Sequence, residues 1–254
     1  MKLTVSGVLL VVGVLGSHGA PAQVRELASI TGAPFSGVRT EQTGKLFADG
    51  NRIDRGTSIR LYRDREGRTR IERDTPAEML AANPRMEPVQ IVINDPVSGD
   101  LYQLHPQTRK ALVLKGMARH AIPLPTSVPG VSVRFGGYQY GPKNPGWSEP
   151  QSLGQKSIDG VNAVGTRRQY TIAAGVKGNE KPIVLTVEQW FSPQLGLMVS
   201  KSGKATLGGE FHNEVENIDA RDPDPALFTV PADYTRTEIN PKAVVDAAMK
   251  AAKN

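Results

Sequence analysis

The chain contains no cysteine. That excludes disulfide staples, thiolate nucleophiles and cysteine zinc sites, and also the acylated cysteine that anchors a lipoprotein. Aromatic residues make up only 6% of the chain, with two tryptophans, and there are four histidines. Beyond the N-terminal segment only His105, His120 and His212 remain, and no two of them stand at metal-ligand spacing. There is no GxSxG, SxxK, phosphate loop or glycine-rich dinucleotide fingerprint. The stretch "GLMVSKSGKA" has lysine and glycine but neither the loop spacing nor the Ser/Thr that must follow the lysine. These absences argue against an enzyme, and they imply no cofactor and no metal.

Long apolar runs are missing too. After the first residues no segment approaches the roughly 20 apolar residues a spanning helix needs. The start itself, "MKLTVSGVLLVVGVLGSHGAPAQ", has the three parts of a secretory signal: basic Lys2, the apolar run Val8 to Leu15, and the small-residue cleavage site Ala20-Pro21-Ala22. Residues 1–22 thus read as a signal peptide and residues 23–254 as one mature domain, periplasmic or secreted, with no transmembrane segment after cleavage. A chain of that size buries enough surface to fold without disulfides.

Charge is present in quantity. The formal net charge is +6, and Ile53 to Asp74 alone holds seven arginines and five acids. Mixed signs on strands make a solvated face, so nucleic acid is not expected as a partner.

Period-two alternation dominates after Phe35. Phe35 to Phe47 runs into Asp49-Gly50, a hairpin signal. Ser58 to Asp64 and Arg68 to Arg73 flank a second turn, with Ile59, Leu61, Thr69 and Ile71 on one face. Thr75 is placed to cap a short helix, with Pro76 in its first turn and Glu78 completing a capping box, ended by Asn83-Pro84. Val89 to Ile93, Leu101 to His105 and Thr108 to Leu114 are strands, and His105 reads as a polar residue at a strand end. Gly116 to Pro150 has six prolines and six glycines among its aromatics. It reads as a surface loop or linker; a lid or binding loop is the alternative. The second half is again strand–turn–strand, with turns at Asp159-Gly160 and Ser192-Pro193. Residues 241–252 read as a C-terminal helix capped by Asn240.

Two constellations stand out. In "EFHNEVE", Glu210, His212, Glu214 and Glu216 share one strand face. Such a set suits a divalent ion, but one strand rarely completes a ligand set, and the plainer reading is an acidic outer face with Phe211 and Val215 on the buried side. Arg168 shares a face with Val164, Thr166, Tyr170 and Ile172. Pointing inward, it needs an anionic partner; a bulge near Gly165, the preferred reading, would turn it outward.

The closing pattern "VEQWFSPQLGLMVSKSG", "GGEFHNEVENI", "DPDPALFTVPADY" resembles that of the LolA/LolB/RseB-like periplasmic superfamily, through Trp190, Pro193, Gly196, Leu227, Phe228 and Pro231. "ADGNRI" and "LYRDREGRTRIER" resemble an uncharacterised exported branch of it. The resemblance implies an α+β, mostly β fold: a curved antiparallel sheet, or unclosed β-barrel, with short helices. It also implies a binding protein that holds a hydrophobic ligand or lipidated protein in the concave face. Tyr170, Ile172, Leu185, Val187 and Phe211 are the expected lining. An envelope protein-interaction or sensing module with no ligand cavity, contacting an envelope protein partner, is the alternative.

Overall fold

The alternation becomes two meanders that meet at one seam. The computed structural model describes residues 27–243, apart from 48, 126, 128, 131–132, 136–137, 141–144 and 242. The first meander contains β1 (Phe35–Leu46), β2 (Arg52–Arg63), β3 (Thr69–Asp74), the helix α1 (Ala77–Ala82), β4 (Val89–Asp95), β5 (Asp100–His105) and β6 (Lys110–Leu114). A two-stranded ladder follows, β7 (Val133–Phe135) with β8 (Tyr138–Tyr140). The second meander contains β9 (Gln151–Ile158), β10 (Val161–Ile172), β11 (Ile183–Ser192), β12 (Leu197–Ala205) and β13 (Gly209–Asp219). A 3₁₀ turn, Pro225–Phe228, leads to β14 (Thr235–Ile239). The main sheet has twelve strands in the order β14-β6-β5-β4-β3-β2-β1-β13-β12-β11-β10-β9. Strands β14 and β9 are its two edges, so the sheet is not closed.

Cross-strand partners divide the side chains into two faces. Phe211 lies opposite Thr43 and Gly203, Gly203 opposite Val187, and Val187 opposite Arg168. Val215 lies opposite Arg39, Arg39 opposite Ile59, and Ile59 opposite Arg73. This is the inner face, because the sheet curls toward it. The Arg63 guanidinium reaches past β1 and β13 to the Leu195 carbonyl in the β11–β12 turn. The backbone N–H of Ile218 on β13 donates to the Asp159 carboxylate in the β9–β10 turn, past β12 and β11. A flat sheet with strands about 4.8 Å apart would not allow either contact. At this end the main core, with Leu27, Phe35, Leu61, Val199 and Val215 among its members, fills the curl.

The hairpins follow the turn chemistry read from the chain. Gly50 has φ +85°, and Asp159-Gly160 takes φ +46° and +79°, the left-handed pair that a two-residue hairpin requires. Strand β2 begins at Arg52, six residues earlier than expected, because it pairs with β1 along its whole length.

Several expectations are corrected. Thr75 does not cap α1. The helix starts from Pro76 with no side-chain cap, and the Thr75 hydroxyl donates to the Glu87 carbonyl at 2.6 Å, tying the helix connection to the entry of β4. Strand β6 begins at Lys110, not Thr108. The bulge near Gly165 is present in the β9–β10 pairing, yet Arg168 keeps the inner face, opposite Val187. Its Nε donates to the Ser148 carbonyl at 2.7 Å and its guanidinium lies 5.5 Å from the Trp147 ring centre, so a carbonyl and a ring replace the anion. The described residues of the Gly116–Pro150 segment are mostly irregular and exposed, and they also make fixed contacts with the sheet. The Asn94 amide group pairs with the backbone of Arg119, Ile122 bridges to Ile30, the Gln189 amide donates to the Pro129 carbonyl at 2.8 Å, and Trp147 bridges to Tyr170. Asn94, Gln189 and Tyr170 are inner-face residues, so the described residues that contact them lie against that face, and β7 and β8 add regular structure to the segment. Strand β14 pairs with β6 in parallel, which the antiparallel reading did not anticipate. The expected signal segment and most of the expected C-terminal helix lie outside the described residues. Asn240 does carry the expected cap, its side-chain oxygen accepting from the Ala243 N–H at 3.1 Å.

Candidate ligand-binding site

All five expected lining residues come together. Ile172, Leu185 and Val187 are buried, with Ile183 and Ala205, in an apolar cluster distinct from the main core. Trp147, Tyr170 and Phe211 pack against it and stay partly exposed. Strand pairing accounts for the grouping: Ile172 lies opposite Ile183, Tyr170 opposite Leu185, and Leu185 opposite Ala205. The Trp147 and Tyr170 rings meet edge to face, with centroids 5.2 Å apart. Trp147 was read only as one aromatic in a loop. Its role depends on where the 116–150 segment crosses the sheet, which no local pattern encodes.

Glycine shapes this wall. A Cβ built on Gly203 would stand 2.3 Å from a Phe211 ring carbon, so the absent side chain is the seat of the ring. A Gly203→Ala chain is expected to lose about 1–3 kcal/mol in urea unfolding, since the ring must leave its seat. An unchanged midpoint would show that Phe211 has room to turn aside.

On the other, outer face of the same strands lies an open groove of about 750 Å³. Its floor consists of two neighbouring cross-strand rows. One runs Gly56, Gln42, His212, Ser202, Glu188; the other runs Asp54, Gly44, Glu210, Lys204, Thr186. Arg52 binds both Asp54, at 2.7 Å, and Glu210, at 2.5 Å. These carboxylates hold its guanidinium above the usual arginine pKa, the hydrogen bond that Arg52 donates to Asp54 contributing most. Gly44 leaves room for this ion cluster, since a Cβ there would meet Arg52 and Asp54 at 2.8 Å. The Glu188 carboxylate accepts from Arg167 at 2.6 Å.

Three of the four residues of the acidic face are engaged within the protein. His212 Nε2 lies 2.9 Å from Glu214, and Glu210 is held by Arg52. Among the described residues no group of three or more His, Asp or Glu is placed to hold a metal. His105 sits at the end of β5 with Nδ1 3.5 Å from Glu87, as a strand-end polar residue does. Among the described residues no helix is long and apolar enough to cross a membrane.

An unclosed, curled antiparallel sheet with an apolar patch on its inner wall defines the class of this fold. The chain matches no family model and no curated protein. Solved structures similar to it include a chain of the Pseudomonas aeruginosa MucA/MucB complex, at TM-score 0.39 and 10% identity over 80% of this chain and 59% of that one. The LolA superfamily protein NE2245 of Nitrosomonas europaea is similar at TM-score 0.29 and 13% identity, over 90% and 98% of the two chains. The Mycobacterium tuberculosis lipoprotein LppX is similar at TM-score 0.28 and 13% identity, over 76% and 90%. At these scores the likeness is one of fold outline, and it assigns neither ligand nor partner to this chain.

Proposed function

We propose that this chain is an exported binding protein that holds a hydrophobic or lipid-modified ligand on the inner wall of its unclosed sheet. One observation carries the reading. The Ile172–Ile183–Leu185–Val187–Ala205 cluster is separate from the main core, and among the described residues its cover is three partly exposed aromatic rings. Rings seated on a glycine and on a loop tryptophan move aside more readily than a packed helix would. Beneath them an acyl chain gains about 0.8 kcal/mol for each CH₂ it buries. Tyr170, Ile172, Leu185, Val187 and Phe211 are the contact residues in this reading. No chemical step is required of them.

A second reading has its own observation: the open groove is lined mostly by polar and charged residues, with its floor on the outer face, and it includes only Phe211 of the five lining residues. Under it the chain is an envelope protein-interaction or sensing module with no ligand cavity.

Titration with a homologous series of fluorescent fatty acids separates the two. Under the binding reading, affinity rises by roughly tenfold or somewhat more for every two methylenes added. Trp147→Ala, which removes a cover ring, changes that affinity severalfold while leaving the unfolding midpoint near that of the parent. A flat dependence on chain length, or no binding, leaves the interaction module.

A further inference from the structure

Exposed apolar side chains gather at one end of the sheet. Eight large hydrophobic residues are strongly exposed among the described residues, and four of them lie at the same end: Val176 and Leu207 on connections, Leu46 and Ile53 on the strand ends that flank a third. These connections join β1 to β2, β12 to β13 and β10 to β11. Backbone bonds set them side by side: Leu46 N–H donates to the Gly208 carbonyl at 2.9 Å, and Thr206 N–H to the Val184 carbonyl at 3.0 Å. Isolated exposed apolar residues are ordinary; a group of them on adjacent connections marks a contact surface.

Basic residues surround the group. Lys45, Arg52, Arg55, Lys177, Lys181 and Lys204 lie on or within a few residues of the same connections, against Asp49, Asp54, Glu180 and Glu210. Two of those four acids, Asp54 and Glu210, are already engaged by Arg52. The Lys45 ammonium sits 4.8 Å from the Phe47 ring centre, a long cationic side chain lying along apolar surface.

We propose that this end of the sheet docks on an anionic phospholipid bilayer, with Leu46, Ile53, Leu207 and Val176 entering the headgroup–acyl boundary and the lysines meeting lipid phosphates. Lysine is depleted from protein–protein contacts, whereas lysines that snorkel around apolar side chains are the composition of an interfacial membrane contact. The placement has a structural consequence. Ile172, Ile183 and Ala205 are terminal residues of their strands at this same end. A bilayer bound here would lie next to the inner-wall cluster, although the docking itself requires no ligand there.

The test is co-sedimentation with vesicles of phosphatidylcholine, with and without phosphatidylglycerol. The parent chain is expected to sediment with the anionic vesicles. Leu46→Ser with Leu207→Ser should weaken that binding by roughly tenfold or more, and Lys45→Gln with Lys204→Gln should remove the preference for phosphatidylglycerol. All four residues are at the surface, so unchanged urea midpoints check the fold. A tryptophan placed by Leu207→Trp should shift its emission to the blue with vesicles, while one placed by Val97→Trp, at the opposite end, should not. Absence of sedimentation, binding indifferent to both double variants, or a shift only at position 97 would overturn the proposal.

Discussion

Replacing Arg63 by methionine is expected to destabilise the fold by about 3–5 kcal/mol, read as a shift in the urea unfolding midpoint at unchanged slope. Among the described residues Arg63 is the largest fully buried side chain, at 0% exposure. Its Nε donates to the Ala33 carbonyl at 2.8 Å, one terminal nitrogen to the Ala28 carbonyl at 3.1 Å, and the other to the Leu195 carbonyl. The guanidinium also lies 4.9 Å from the Phe35 ring centre. Residues 28–33 and the β11–β12 turn, each distant in sequence from Arg63, are thus held by one planar donor group. Methionine fills much of the volume but leaves three carbonyls, two of them buried, without their donor, at about 1–3 kcal/mol for each one that finds no water. Lysine should rescue little, because one ammonium does not reproduce the planar fork over the ring. Burial lowers the guanidinium to about 10. For a base whose folded pKa lies below its unfolded value, the cost of the charge is fully present below about pH 10 and is relieved as pH rises past it. The parent chain should therefore show no Arg63-linked change in stability between pH 5 and about 9. A methionine variant within about 1 kcal/mol of the parent would mean that water reaches the three carbonyls.

Arg63 also shows where sequence pattern stops. It sits in the Ile53–Asp74 stretch, read as a solvated charged face, and for most of that stretch the reading holds: Arg60 pairs with Glu72 and Asp74, and Arg65 with Asp222. Alternation alone puts Arg63 on the same face as Ile59 and Leu61, which was the available signal. Composition concealed it, because a buried arginine among seven looks like its neighbours until the sheet curls. The strands and hairpin turns were legible because each depends on period-two spacing or on a turn dipeptide. Alternation fails where a strand is buried on both sides, as in β4, where Ile91, Val92, Ile93 and Asn94 are all buried. The placement of Trp147, the inward Arg168 and the parallel edge strand β14 all depend on long crossings of the sheet, and local spacing carries no information about them.

The second large effect concerns such a crossing. After β13, at the seam of the two meanders, the chain travels over the outer face to pair β14 with β6 at the far edge. Phe228 anchors it midway. It is 2% exposed and packs with Ile91, Ile93, Leu104, Ala111 and Val230, which explains why β4 is buried on its outer side as well. The 3₁₀ turn that presents it is capped by Asp224, whose carboxylate accepts from the Ala226 N–H at 2.9 Å. Arg70 donates to the Leu227 carbonyl at 2.9 Å, and the Arg68 guanidinium lies 5.4 Å from the Phe228 ring centre. Phe228→Ala should cost about 3–5 kcal/mol, the loss of a fully buried ring together with the cavity it leaves. Phe228→Leu, which refills most of the volume, should cost less than about 1.5 kcal/mol. Hydrogen exchange locates the damage. In the alanine variant the amides of 235–239 and 110–114 should lose protection first, because β14 pairs with a single strand and reaches it through the anchored strap. If those amides keep their protection while the midpoint falls, the parallel pairing with β6 holds the edge without the anchor, and Phe228 serves the β3–β6 half of the sheet alone.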